Sequence, residues 1–293
     1  MNRHNRSSTR QIFPRPFVVG LGRAAGGALL FSLPMLMTME MWWMGFTMRP
    51  LQIAALLSAL IPILVGLAFY SGFEEPVGIL GAIIDAFVAY CVGLVIAATI
   101  LIVLAVLKPI NATLDEIVGK IILLAMAASY GAVLASSQMS GEDAHQAHNE
   151  RQEKSIKNAY NNLGCYFREM FLMLAGAIFL ALNVAPTEEV ILVAFKMTAW
   201  HGIVLVSLSL VIMHAFVFNL KFHGQVSIPE EHSATSVFIR FTIPGYAVAL
   251  LVSLFCLWVF GRTEYTAFDE VVMSTTVLAM PAAVGAAAAR LIL

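Results

Sequence analysis

Eight long apolar runs constrain what this chain can fold into more than any other feature: residues 23–46, 51–73, 77–107, 116–137, 165–195, 200–222, 237–261 and 270–293. A segment that crosses a bilayer must satisfy its backbone amides internally and needs roughly 20 mostly apolar residues to do so as a helix. With 60% hydrophobic residues, 12% charged residues and a mean hydropathy of +0.84, the chain lies outside the composition of soluble proteins. The third and fifth runs exceed one perpendicular crossing, which calls for tilt, a kink or an interfacial extension.

The runs repeat. Residues 27–69 lie without a gap on residues 176–218 at a shift of 149, and 11 of the 43 aligned positions are identical, among them Gly27/Gly176, Thr38/Thr187, Glu40/Glu189 and Phe69/Phe218. A second block at a shift of 154 places Asp115-Glu116 on Asp269-Glu270 and Gly131 on Gly285. An even number of crossings per copy returns the second copy in the same orientation, so the repeats are parallel and a shared site belongs near their axis. The expected fold is therefore an all-α polytopic membrane protein with eight transmembrane helices, built as two parallel four-helix repeats about a pseudo-two-fold axis along the membrane normal. Its expected divisions are a cytoplasmic basic arm (1–22), a first repeat (23–137), a cytoplasmic linker (138–164) and a second repeat (165–293).

Orientation follows from the basic residues. Arg3, Arg6, Arg10, Arg15 and Arg23 precede or begin the first span, which places both termini in the cytoplasm by the positive-inside tendency. The arm leads into a long span without a small-residue cleavage site, so it is expected to be retained. The linker mixes acids and bases and reads as a solvated face; its His145 and His148 lack the cysteine partners that would argue for a metal. Cys91, Cys165 and Cys256 form no CxxC spacing, and no phosphate loop, nucleophile elbow or dinucleotide glycine fingerprint occurs. With no nucleophile legible beside a positioned base, enzymatic activity is not expected. Nothing in the charge distribution suggests a nucleic-acid partner.

The embedded polar residues carry the functional expectation. Glu40 lies six residues before the loop 47–50, roughly 9 Å of helix at 1.5 Å per residue. A carboxylate at that depth is costly unless it is paired, solvated in a cavity or protonated. Glu189 repeats it, preceded by Glu188 and Pro186, and the run 185–189 reads as a broken helix that frees carbonyls for an ion. Pro34 stands in a similar place in the first copy. Glu40 and Glu189 are the expected cation or proton ligands, and the metal ligands if the cation is divalent, with Glu188 a further candidate. Thr38 and Thr187 are neighbouring hydroxyls of secondary weight. Asp115, Glu116, Asp269 and Glu270 begin the fourth and eighth spans, where acids complement the helix dipole and also suit an outer cation vestibule. Asp85 and Arg240 could pair across the pseudo-axis, and His214 is a packing histidine or a proton relay. The reading that follows is a cation channel or transporter acting on an inorganic cation, with Ca2+ and H+ the species suited to carboxylates. No resident cofactor beyond a bound cation is expected; membrane lipid is the surrounding partner, and self-association into a homo-oligomer stays open. The rival is a membrane-embedded sensor or assembly factor that acts through a partner, in which the acids are structural.

The stretch 22–46, GRAAGGALLFSLPMLMTMEMWWMGF, and APTEEV at 185–190 resemble an uncharacterised bacterial integral-membrane protein family of unknown function. That resemblance implies a bacterial inner-membrane setting and no assigned site.

Overall fold

The computed structural model describes residues 15–71, 78–107, 113–138, 163–216 and 234–292. Every regular element among them is helical. The first five helices are α1 (Arg15–Leu36), α2 (Met39–Thr47), α3 (Pro50–Ser71), α4 (Gly78–Val103) and α5 (Leu114–Gln138). The next five are α6 (Leu163–Val184), α7 (Glu189–Lys196), α8 (Ala199–His214), α9 and α10 (Phe268–Ile292). Helix α9 runs through Ala234–Val237, a π-helical turn at Phe238–Thr242, and Ile243–Val259.

Seven of these helices are long and apolar enough to cross a membrane. The remaining expected span, the sixth at 200–222, appears as the shorter apolar helix α8; the rest of it from residue 217 lies outside the described residues, as do most of the linker with His145 and His148 and the first 14 residues of the arm. From Arg15 the expected arm is already helical and continuous with the first span. Two expected spans end early. The run 23–46 divides into α1 and α2, and the run 165–195 into α6 and α7. Pro34 sits inside α1, three residues before the gap, whereas Pro186 lies within the second gap, where a ring without an N–H ends helical bonding.

The two sets of five helices pack through corresponding contacts. Helix α1 lies chiefly on α5, and α6 chiefly on α10. Both approaches are made by glycines: a Cβ added to Gly27 would collide with the Gly131 backbone and Ala135, and one added to Gly176 would collide with the Gly285 backbone and Ala289. Small residues four apart on α5 and α10 allow this closeness, which membrane helices need because lipid offers no hydrophobic drive to association. The buried alanine run on α5, Ala125 and Ala127–Ala128, and Ala282, Ala283, Ala286 and Ala287 on α10 place these two helices in the core.

Between the sets several contacts are aromatic. Phe179 meets Phe31 at 5.4 Å and Tyr130 at 5.8 Å between ring centroids, Phe171 meets Tyr70 at 5.6 Å, and a Cβ on Gly66 would enter the Phe171 ring.

Candidate functional site

Each break between a long and a short helix leaves carbonyls without helical partners. At the first, Thr38 donates its hydroxyl to the Met35 carbonyl at 3.0 Å, and the Trp42 indole donates to the Leu36 carbonyl at 2.8 Å. At the second, Thr187 donates to the Val184 carbonyl at 2.8 Å, and the Arg262 guanidinium donates to the Pro186 carbonyl. The second break stands where the sequence places it and the first lies just beyond Pro34, but these carbonyls are occupied by the chain's own donors instead of being free for an ion. The two threonine hydroxyls are likewise spent on their own helix ends.

The short helices run into α3 and α8 through a second matched device. Gln52 accepts the Arg49 backbone N–H at 3.0 Å, and the His201 ring nitrogen accepts that of Thr198 at 3.3 Å. In each case a side chain three residues on caps the incoming strand of backbone.

Around the first break an open cleft of about 560 Å³ forms. Helix α2 contributes Met39, Glu40, Trp43 and Met44; the entry into α3 contributes Arg49 and α3 itself Gln52; the second set of helices contributes Glu188 and the loop at 260–264. That loop crosses the boundary between the sets. Its Glu264 carboxylate receives Arg49 Nη2 at 2.9 Å and Gln52 Nε2 at 3.5 Å. Its Arg262, besides holding the Pro186 carbonyl, stands 4.0 Å from the Glu188 carboxylate. Gly261, with φ of +69°, and Tyr265, with φ of +58°, give the loop the left-handed turns that aim these two side chains; the conformation is ordinary for glycine and strained for tyrosine.

Glu40 therefore shares the cleft with Glu188 and Glu264, and not with Glu189, which is exposed at the start of α7 and is not among the lining residues. Among the described residues Glu40 is half-buried and has no ion-pair partner. The expectation that Glu40 and Glu189 face one another across a shared cavity is thus replaced by Glu40 and Glu188. The second break explains the change: two residues separate α1 from α2, whereas four, including Pro186, separate α6 from α7, so Glu189 opens its helix while Glu40 is already inside one.

The remaining candidates lie elsewhere. Asp115 and Glu116 stand in the first turn of α5 and Asp269 and Glu270 in that of α10, where they complement the helix dipoles and do not line the cleft. Glu116 is engaged by Lys120 at 2.5 Å, and this buried lysine also lies 5.3 Å from the centre of the Phe46 ring. Arg240 rests over the Tyr166 ring at 5.8 Å, and the Tyr166 hydroxyl donates to the Arg240 carbonyl at 3.1 Å; Asp85 is partly buried on α4. His214 Nδ1 lies 3.0 Å from the Thr242 hydroxyl in the π turn of α9 and packs edge-on against Phe238. Among the described residues no three or more His, Cys, Asp or Glu side chains gather as a metal site, and that includes Glu40 and Glu189.

Sequence reasoning passed over the groups that finish the cleft. These are Arg49, Gln52 and Arg262, and an arginine in one loop with an acid in another, Arg49 with Glu264, is the signal that joins them. Glu169, only 2% exposed on α6 and engaged there, is likewise a buried acid that hydropathy does not single out.

No curated protein and no solved structure matches the chain. Apolar helices of crossing length, glycine-mediated helix contacts and a polar cleft at one end agree with the match over residues 20–293, by which the chain belongs to the family described as "Putative integral membrane protein (DUF2391)".

Proposed function

We propose that this protein is a cation channel or transporter whose entrance is the cleft between Glu40 and Glu188. The observation that supports this reading most is that Glu40, an acid without an ion-pair partner among the described residues, opens into a cleft large enough for a solute. The other charges there are largely balanced: Glu264 by Arg49, and Glu188 in part by Arg262. An uncompensated carboxylate in a low-dielectric mouth raises the local concentration of cations.

The same reading takes the chain as two parallel repeats of four crossings, with α8 completing the second. The duplicated glycine contacts, Gly27 with Gly131 and Gly176 with Gly285, support it, as do the duplicated caps at Gln52 and His201. Eight crossings put both termini on one side, and the arginine-rich N-terminal segment makes that side the cytoplasm of a bacterial inner membrane. The cleft then opens outward.

Reconstitution into liposomes tests the proposal. Flux of H+, Na+, K+ or Ca2+ is expected in the wild type, with most of it lost in Glu40→Gln and Glu188→Gln and retained in Glu189→Gln. Flux indifferent to Glu40→Gln would remove the site assignment, and no flux for any of the four ions from folded protein would favour a role exercised through a partner.

A further inference from the structure

We infer that the species the cleft accepts is a compact organic ammonium ion, held between the Glu40 carboxylate and the indole of Trp43. This deepens the cation reading and depends on it. Glu40 and Trp43 are three residues apart on α2, so they emerge from the same face of that helix, and both line the cleft. Trp43 is 63% exposed, with its ring set edge-on to Phe46 at 4.9 Å. Tryptophan is the strongest of the aromatic partners for a cation, and quaternary ammonium groups are recognised by aromatic faces.

The rest of the lining suits the same chemistry. Met39, Met44, Met48 and Phe260 surround the acids with thioethers and ring carbon, which fit the methyl or methylene shell of an organic cation. A bare Ca2+ asks instead for about six to eight oxygens at about 2.3–2.6 Å, and Mg2+ for a tight octahedron. A space of about 560 Å³ is the size of a small-molecule site and far larger than such a shell. The second copy of the pattern lacks this pairing: Trp43 is replaced by Leu192 beside Glu189, both exposed outside the cleft. One ammonium site per chain follows.

The test is isothermal titration of purified full-length protein in lipid nanodiscs with tetramethylammonium, and separately with Na+ and Ca2+. Tetramethylammonium is expected to bind one per chain. Trp43→Leu, which installs the second copy's residue at an exposed position, should weaken it about 3- to 30-fold, and Trp43→Phe should weaken it less. Glu40→Gln should abolish it, with thermal midpoints showing that each variant folds. Glu40-dependent binding of Na+ or Ca2+ without any of tetramethylammonium overturns the ammonium assignment and leaves the cation reading standing. Binding of none of the three overturns both. Tetramethylammonium binding unchanged by Trp43→Leu and Glu40→Gln moves the ligand away from this cleft and overturns the inference.

Discussion

Arg262 does more at the scale of single residues than any side chain that the sequence singled out. Its guanidinium donates to the Pro186 carbonyl at a helix break, faces Glu188, and is largely enclosed, with its Nε buried and unpartnered. Hydrogen bonds from a charged donor contribute about 1.5–3 kcal/mol, and an orphaned buried carbonyl costs a comparable amount. Arg262→Ala is therefore expected to lower stability by about 2 kcal/mol, read as a drop in the thermal midpoint in detergent, whereas Arg262→Lys should recover part of it. No change in either variant would mean that the Pro186 carbonyl finds water instead.

Lys120 offers a parallel case among the first five helices. Its ammonium is buried against α2, paired with Glu116 and placed over Phe46. Lys120→Met keeps the stem and removes the charge. Because Glu116 remains 31% exposed and can be hydrated, the loss should be about 1 kcal/mol, below the 3–5 kcal/mol typical of a fully buried broken pair. At a shift of 154 Ser274 aligns with Lys120, so Glu270 has no lysine four residues on and Ser274→Ala should change little. Neither Lys120 nor Arg262 was legible as a partner, because a sequence gives the depth of a charge along its own helix but not which neighbour faces it.

The elements themselves were far more legible, and the reasons are local. Long apolar runs bounded by charged or proline-containing loops can only be helices in a bilayer, and α3, α4, α5, α9 and α10 fall close to the runs read from the sequence. What periodicity could not supply was the division of the first and fifth runs. The residues at 37–38 and 185–188 are as apolar or as weakly polar as their surroundings, apart from Glu188, and hydropathy averages across them; Pro186 was a warning at one break, while Pro34 misdirects by one turn at the other. The exchange of Glu189 for Glu188 at the cleft stems from this. A repeat aligned in sequence predicts equivalent surroundings only where the connections have equal length, and here the second break is longer.

Helix contact makes a sharp prediction at this scale. At Gly176 an added methyl would run into the Gly285 backbone, and at Gly285 into that of Gly176, so neither collision can be relieved by turning a side chain. Gly176→Ala and Gly285→Ala should each cost about 1–3 kcal/mol by overpacking, measured by unfolding in mixed micelles. Gly20, where nothing lies within 4 Å of a built Cβ, is the control, and Gly20→Ala should be neutral or slightly stabilising. Equal effects at all three positions would show that backbone propensity, and not the α6–α10 approach, decides the outcome.

For the whole molecule, each set of five helices makes most of its contacts within itself, and the seam between the sets is narrow. Along the helices it includes rings: Phe31 and Tyr130 on Phe179, Tyr70 on Phe171. At the cleft end it is completed by Arg49 on Glu264. An exposed ion pair of this kind contributes about 0–1 kcal/mol, whereas aromatic pairs contribute about 0.5–1.5 kcal/mol each beyond their burial, so the rings should govern whether the sets stay together. Severing the chain within the linker at residue 150 and co-expressing the two pieces should then give an assembled membrane complex, recovered by a tag on either piece. Phe171→Ala with Phe179→Ala should abolish the recovery. Arg49→Gln should leave it intact, since the charge pair only closes the cleft mouth. Pieces that each insert but never co-purify would show that the linker does more than connect, and loss of recovery in Arg49→Gln would transfer the seam's strength from the aromatic core to the cleft.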